Sequence, residues 1–109
     1  MKKIGGNVDC VLKYQTIAED ATGEQATNWL ELQTIRGFLD LMNSGKDFAT
    51  YNKAMLDSTH VFVCDYVNIT KSATELRASI NGLEYDVTFI DNPMGLNYHL
   101  EIFLKRVGE

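Results

Sequence analysis

The sequence predicts a mainly β protein, a small antiparallel β-barrel of five to six strands with one short helical or loop insertion at about residues 43–58. Three observations predict this fold. Several short runs alternate apolar and polar residues, the Asn81-Gly82 pair joins two such runs, and only residues 44–58 show the three- and four-residue spacing of a helix. Short strands without a helical repeat are typical of an antiparallel barrel or sandwich.

Length and charge limit the classes of function. The 109 residues fit a single domain, 1–109, with an ordinary hydrophobic fraction of 45%. The net charge is −5, because fifteen acidic residues outnumber ten basic ones. Tight binders of nucleic acid usually present a basic face. Tight, independent binding to DNA is therefore not expected, whereas a surface past which DNA slides without sticking is compatible with this charge.

The N-terminus and the cysteines give no indication of a signal peptide, a membrane span or a cofactor site. Asn7 and Asp9 interrupt any apolar run near the start, so no signal peptide is expected, and no stretch approaches the roughly 20 apolar residues of a membrane span. Cys10 and Cys64 lie in strand-like patterns and are expected to be reduced core thiols. We expect no cofactor and no metal.

The first half of the chain reads as two strands separated by a loop. Residues 8–14 alternate apolar and polar side chains, which predicts a half-buried strand. Residues 19–28 lack periodicity and are rich in polar residues, which predicts an exposed loop. Residues 29–41 are apolar on both parities, so this strand is either bent or covered on its outer face by another subunit. Gly37 is a plausible bulge or bend point.

The insertion begins where Ser44-Gly45 ends this strand. Either Ser44 or Asp47 could cap a helix that runs to about Leu56. Such a helix has only about three turns, and isolated helices below roughly 12 residues are marginal in water. It needs partners within the subunit or from a neighbouring one. In the first case the apolar residues Phe48, Tyr51 and Met55 would plug one open end of the barrel.

The second half contains the clearest β pattern. Residues 59–67 form the most strand-like run, and residues 98–107 form the last strand, after a turn at residues 91–97. The Asn81-Gly82 pair predicts a type I′ hairpin turn, which needs positive φ at both positions. A two-residue loop pairs Ile80 with Leu83, Ala78 with Tyr85 and Leu76 with Val87, and all six apolar side chains then face one side.

No enzyme motif is present. The best catalytic constellation is His60, Cys64 and Asp65 on one strand. Four residues along a strand separate His60 from Cys64 by about 13 Å, which is several times hydrogen-bond reach. The sequence therefore predicts that the protein is not an enzyme.

Several short features follow one another in a specific order. They are Trp29 on the second strand, the run Gly45-Lys46-Asp47-Phe48, the pair Thr59-His60 opening a β-run, and Leu76-Arg77-Ala78 before a hairpin with Ile80, Gly82 and Tyr85. This order resembles the head-closure, or head-to-tail joining, proteins of tailed bacteriophages, over nearly the whole chain from about Val8 to Val107. One departure is Asp65 before Tyr66, where that family often has an arginine.

The resemblance implies a structural virion protein in the neck, or connector, of a phage, present in the host cytoplasm during assembly. Its subunits would form a homo-oligomeric ring, expected to be a dodecamer, beneath the portal and adaptor ring. The ring would seal the portal channel after DNA packaging, contact the packaged DNA transiently and provide a docking surface for tail proteins. No membrane is involved. The implied gating or intersubunit residues are Ser44, Gly45, Lys46, Asp47, Phe48, Tyr51, Lys53, Met55 and Asp57.

Two alternatives remain open from the sequence. One is a tail-completion or tail-terminator protein, which also forms rings on a small β fold. The other is a small binding module of SH3-like or OB-like type for peptide or nucleic acid. The excess of acidic residues argues against nucleic acid, and no cluster of exposed aromatic residues on one face supports a stacking platform for bases.

Overall fold

The described structure, a computed structural model, comprises residues 3–41 and 58–108. Its elements are six strands and two 3-10 turns: β1 (Val8–Glu19), β2 (Gln25–Leu41), β3 (His60–Asp65), the turn Ala73–Glu75, β4 (Leu76–Ile80), β5 (Leu83–Asp91), the turn Pro93–Gly95 and β6 (His99–Arg106). The strands form one antiparallel sheet that closes on itself in the order β1-β2-β3-β6-β5-β4. The predicted fold class is confirmed, and the predicted insertion lies almost entirely outside the described residues.

The inner faces of all six strands supply the core. Alternate residues of each strand point inward, as the pleat requires. The buried side chains that form the core cluster are those of Cys10, Leu12, Ile35, Phe62, Cys64, Leu76, Ala78, Ile80, Tyr85, Val87, Leu100, Ile102 and Leu104. Phe103 is buried as well. Within the described ranges no polar or charged residue is fully buried, so closing the sheet leaves the core free of desolvated charge.

The closed sheet has two ends, which differ in structure. At one end, here called the insertion end, lie the Asn81-Gly82 turn and the facing pair Leu41 and His60, between which the insertion leaves and returns. At the other end, here called the arm end, lie the β1–β2 turn and both 3-10 turns. All neighbouring strands are antiparallel, so every connection belongs to one end or the other.

The exposed loop predicted at residues 19–28 is wrong in extent. β1 continues to Glu19 and β2 begins at Gln25, so the connection is only residues 20–24. The Asp20 Oδ1 atom accepts hydrogen bonds from the backbone N–H of Thr22 (2.9 Å) and of Glu24 (3.0 Å) and closes this turn. Both faces of the two strands are exposed to solvent here, so the sequence shows no alternation of apolar and polar residues.

The bulge in β2 lies at Leu32 and not at Gly37. Lys13 pairs with Glu31 while Leu12 pairs with Gln33, so Leu32 is the extra residue, and it turns inward against the core. Because the bulge changes which residues of β2 face inward, it accounts for apolar residues on both parities of the strand. This agrees with the first of the two predicted alternatives, a bent strand. Gly37 has a different role, described with the site below.

The β4–β5 hairpin has the expected local geometry. The backbone φ is 53° at Asn81 and 80° at Gly82, and the register pairs Ile80 with Leu83 and Ala78 with Tyr85. Five of the six apolar residues are buried. Leu83 is 38% exposed, because it follows the turn at the rim of the insertion end, where the described residues provide no further layer of core.

Candidate functional site

The predicted gating residues fall in a part of the chain on which the structure gives no information. Ser44, Gly45, Lys46, Asp47, Phe48, Tyr51, Lys53, Met55 and Asp57 all lie outside the described residues. Their role stays a prediction. The strand residues on either side of them are described, however, and show how the segment is attached.

A bulge in β5 receives the returning chain. Thr88 is the extra residue between Val87 and Phe89 in the pairing with β6. Its hydroxyl donates a hydrogen bond to the Phe103 carbonyl oxygen (3.0 Å) and lies 2.6 Å from the Ser58 hydroxyl. Ser58, the last residue of the predicted insertion, is thus bonded to a bulge in β5, which is separated from β3 by β6 in the sheet.

The next two residues extend this attachment. The Thr59 N–H donates to the Leu104 carbonyl (2.8 Å), and the Thr59 hydroxyl accepts from the Arg106 N–H (3.0 Å). The His60 ring meets the Tyr85 ring edge-on, with centroids 5.1 Å apart. The Thr-His pair noted in the sequence therefore fixes the entry into β3, a role that residue type alone did not reveal.

Asp65 holds the N-terminal segment on the outside of the sheet. Its carboxylate oxygens accept hydrogen bonds from the backbone N–H groups of Ile4 (2.7 Å) and Gly5 (3.0 Å), which lower the pKa of this carboxyl below its ordinary value. A single acid within an apolar run was the signal for this role in the sequence. At this position the chain thus uses a carboxylate that accepts from backbone N–H groups.

Two glycines permit close approach of backbones: Gly6 lets this segment approach β2, and Gly37 lets β2 approach β3. A Cβ at Gly6 would overlap the Gly37 backbone, and a Cβ at Gly37 would overlap the Val63 carbonyl oxygen and lie 2.7 Å from the Phe62 ring. Close approach of backbones, not a bend, is therefore what requires glycine at position 37.

A two-stranded arm extends from the opposite end. Beyond the last pair of β1 with β4, Tyr14 with Leu76, residues 15–29 form a hairpin that pairs only with itself among the described residues. Ile17, within this hairpin, is 66% exposed, and Leu30, the residue that follows it, is 48% exposed. The described protein is accordingly elongated, at 50 × 30 × 26 Å.

Two cations brace the root of the arm. The Arg77 guanidinium lies 4.5 Å from the centre of the Trp29 ring, and the Lys71 ammonium lies 4.9 Å from the centre of the Tyr14 ring. Cation–π contacts of this kind contribute roughly 0.5–1 kcal/mol each at exposed sites. They hold a two-stranded ribbon that would be marginal alone. This gives Trp29 a structural role in the fold.

The β5–β6 turn, also at the arm end, displays apolar side chains on a rigid frame. Met94 is 90% exposed and has a left-handed backbone (φ 57°), a conformation that is unfavourable for a residue with a side chain. Leu96 and Tyr98 are also exposed. The Asn92 and Asn97 side chains bond each other (2.7 Å) and fix the loop. Exposed apolar residues held in a strained, ordered turn are typical of a contact surface.

A groove lies beside this turn. Its volume is ≈ 410 Å³, and its apolar lining comes from the chain after β3, from the end of β5 and from the start of β6. The apolar residues that line it are Tyr66, Val67, Ile69, Ala73, Phe89, Ile90 and Leu100. The arm end thus combines an exposed turn, a groove and the arm.

The described residues offer little reactive chemistry. Burial raises the pKa of the Cys10 thiol to about 12 and that of the Cys64 thiol to about 11, so both are protonated and poor nucleophiles at neutral pH. No group of three metal-binding side chains occurs within residues 3–41 and 58–108. Over the same ranges no helix has the length and apolar character to cross a membrane.

Comparison with known proteins agrees with this architecture. The family model described as "Phage head completion protein" matches residues 7–107. The solution structure of protein SF1141 from Shigella flexneri 2a has 16% sequence identity and a TM-score of 0.74, covering 100% of this chain and 99% of that one. A chain in the virion of a native gene transfer agent particle has 12% identity and a TM-score of 0.60, covering 94% and 96%. No curated protein matches.

The two structural similarities show the fold, and the family match covers most of the chain. By the family match the protein is a phage structural protein. It belongs to the family of phage head completion proteins.

Proposed function

We propose that this chain is the head-closure subunit that joins head to tail. In this proposal copies form a ring, expected to be a dodecamer, beneath the portal and adaptor ring in the neck of the virion. The ring seals the channel after DNA packaging and receives the tail, and it carries out no catalysis. The observation that supports the proposal best is the difference between the two ends of the barrel. The insertion leaves from one end, and exposed apolar side chains on rigid turns lie at the other.

The insertion end is the proposed gate. The segment at residues 43–58 faces the channel or a neighbouring subunit, and Ser58, Thr59 and His60 supply its fixed base. Such a base lets a segment change shape while the sheet stays intact. The net charge of −5 supports only transient contact with DNA, since a basic channel lining would hold the duplex.

The arm end is the proposed docking surface for the tail. Met94, Leu96 and Tyr98 stand out from an ordered turn beside the groove, so little side-chain or loop ordering is needed on binding. The strained backbone of Met94 gives a clean test. Met94→Gly relieves about 1–2 kcal/mol of left-handed strain and adds a roughly comparable entropic cost. The fold is expected to keep its stability.

The proposal is tested by complementing a phage that lacks this protein. Met94→Gly combined with Leu96→Ser should yield DNA-filled heads without tails, counted by electron microscopy, and a titre at least tenfold lower. Leu83→Ser removes a comparable exposed apolar residue at the insertion end and is the matched control for docking. Heads that bind tails normally with the Met94 and Leu96 changes would exclude the arm end as the docking surface.

The gate is tested separately with Phe48→Ser and Tyr51→Ser. These variants should still join rings on the portal–adaptor complex but should lose packaged DNA, measured as nuclease-sensitive DNA around purified heads. Rings that form on isolated tail tubes, and not on portal–adaptor complexes, would establish a tail terminator instead.

A further inference from the structure

The arm presents an open strand edge. β2 is paired with β1 along its length, but on its other side β3 pairs only with Gly37–Leu41. From residue 25 to residue 36 the second edge of β2 meets no strand of the described ranges. An edge of this length exposes a row of backbone N–H and C=O groups that can pair with an added strand.

The charge around this edge is mainly negative. Residues 14–35 contain four carboxylates, those of Glu19, Asp20, Glu24 and Glu31, and no lysine or arginine; Arg36, at the end of the edge, is paired with Asp9. The nearest cations on neighbouring elements are already engaged. Lys13, which faces Glu31 in the register, is 3.0 Å from a Glu84 oxygen, and the Lys71 and Arg77 side chains lie over aromatic rings.

This charge disfavours pairing between two copies of the arm. Within residues 25–36 the one cation, Arg36, already binds an Asp9 oxygen (3.1 Å) and the Gly6 carbonyl oxygen (3.2 Å). Two such edges would therefore bring carboxylates together without an unengaged cation, and like charges directly opposite each other destabilise a strand pair. Nucleic acid is disfavoured for the same reason. A strand that carries lysine or arginine would instead find opposite charges and free backbone groups on one edge.

We propose that the β2 edge over residues 25–36 accepts a β-strand from a different, basic polypeptide. The braced root makes the edge ready for this addition, because Trp29 and Tyr14 are already fixed by Arg77 and Lys71. Side chains of the added strand would lie alternately beside Leu30 on one face and beside Trp29 on the other. This inference does not depend on the proposed head-closure role.

The test uses the isolated chain and a synthetic heptapeptide of alternating lysine and valine with blocked ends. Titration followed by amide NMR should shift the resonances of residues 25–36 and slow hydrogen exchange of the outward-directed amides in that range at least tenfold. Two control peptides are used. One replaces lysine by glutamate, and the other carries N-methyl groups on alternate amides and cannot pair.

The second part of the experiment reverses charges on the protein. Glu24→Lys with Glu31→Lys should weaken binding of the lysine peptide at least tenfold, whereas Asp40→Lys, a substitution at an exposed residue near the other end of β2, should leave it unchanged. Equal binding of the N-methylated or the acidic peptide would overturn strand addition, and so would no binding. Concentration-dependent protection of the same amides without peptide would overturn it in favour of a second copy of this chain.

Discussion

At the scale of single residues, two glycines show which features a sequence reveals. The Asn81-Gly82 turn was predictable because its requirement is local: positive φ at two adjacent positions, with the observed values 53° and 80°. Gly37 was recognisable only as an irregular position. Its requirement comes from Phe62 and Val63 on another strand, so no short window of sequence contains it.

The two glycines should respond differently to alanine. Gly82→Ala meets open space, so it costs only left-handed strain, about 1–2 kcal/mol, part of which is offset by a stiffer unfolded chain. Gly37→Ala forces a Cβ into backbone, and overpacking costs typically 1–3 kcal/mol and occasionally more. Urea unfolding should therefore place Gly37→Ala below Gly82→Ala in the free energy of unfolding. The reverse order would mean that β2 and β3 can separate without penalty.

At the scale of elements, the strand boundaries predicted from the sequence were wrong where contacts between distant residues determine the end of a strand. β1 and β2 are longer than predicted, because the turn at Asp20 and the brace at Trp29 stabilise a hairpin whose faces are both exposed. Alternation marks only strands with one buried face. The apolar residues of both parities in β2 left two alternatives open, a bent strand or a face covered by another subunit. The register shift at Leu32 agrees with the first, five residues from the predicted point.

The N-terminal segment gives a pH-dependent prediction. The pKa of Asp65 is lowered in the folded protein by the Ile4 and Gly5 N–H groups, so the unfolded chain binds a proton first as the pH falls. The stabilisation is present above the ordinary value of 3.8 and is lost as the pH drops below it. In an NMR titration the Ile4 and Gly5 amide shifts should follow a midpoint below 3.8.

Asp65→Asn should mimic the protonated state at neutral pH. It removes the negative charge while keeping the shape, so the Ile4 and Gly5 amides should exchange several-fold faster, whereas those of β6 should not change. Asp40→Asn is the matched control. Unchanged exchange at Ile4 and Gly5 in Asp65→Asn would show that the other contacts of the segment hold it without the carboxylate, among them the hydrogen bonds from Asn7 N–H to the Gly37 carbonyl (2.9 Å) and from Arg36 to the Gly6 carbonyl (3.2 Å).

At the scale of the whole molecule, the sequence predicted a small antiparallel barrel but not which strands pair to close it. The β4–β5 pairing was predictable from adjacent residues, whereas β1 with β4 and β3 with β6 join strands that are distant in sequence. Their choice depends on how all inner faces fit around one core, which includes both thiols. The family resemblance carried the functional expectation that alternation and composition did not contain.

The thiols report on the integrity of that core. Their pKa values are raised from 9.0 to about 12 and about 11, so the folded state binds protons more tightly than the unfolded state. Stability is therefore full below about pH 9 and falls as the pH rises towards 11. At pH 8 a thiol reagent should react at least a hundredfold more slowly with the folded protein than with the protein in urea.

Replacing both cysteines by alanine provides the control for alkaline stability. The double variant will be less stable overall because of the cavities left in the core. Its free energy of unfolding should nevertheless decline less steeply between pH 9 and pH 11 than that of the parent protein. Equal slopes would assign the alkaline loss to lysine and tyrosine residues instead.

The facing positions of Leu41 and His60 have a consequence for how such a protein can evolve. Paired Cα atoms in neighbouring antiparallel strands are only about 4.5–5.5 Å apart. The pairing of Leu41 with His60 therefore does not depend on the number of residues that connect them. Each doubling of a flexible connection costs only about 0.6 kcal/mol in closure entropy. The connection between these two residues can thus change in length and in sequence during evolution while the sheet keeps its structure.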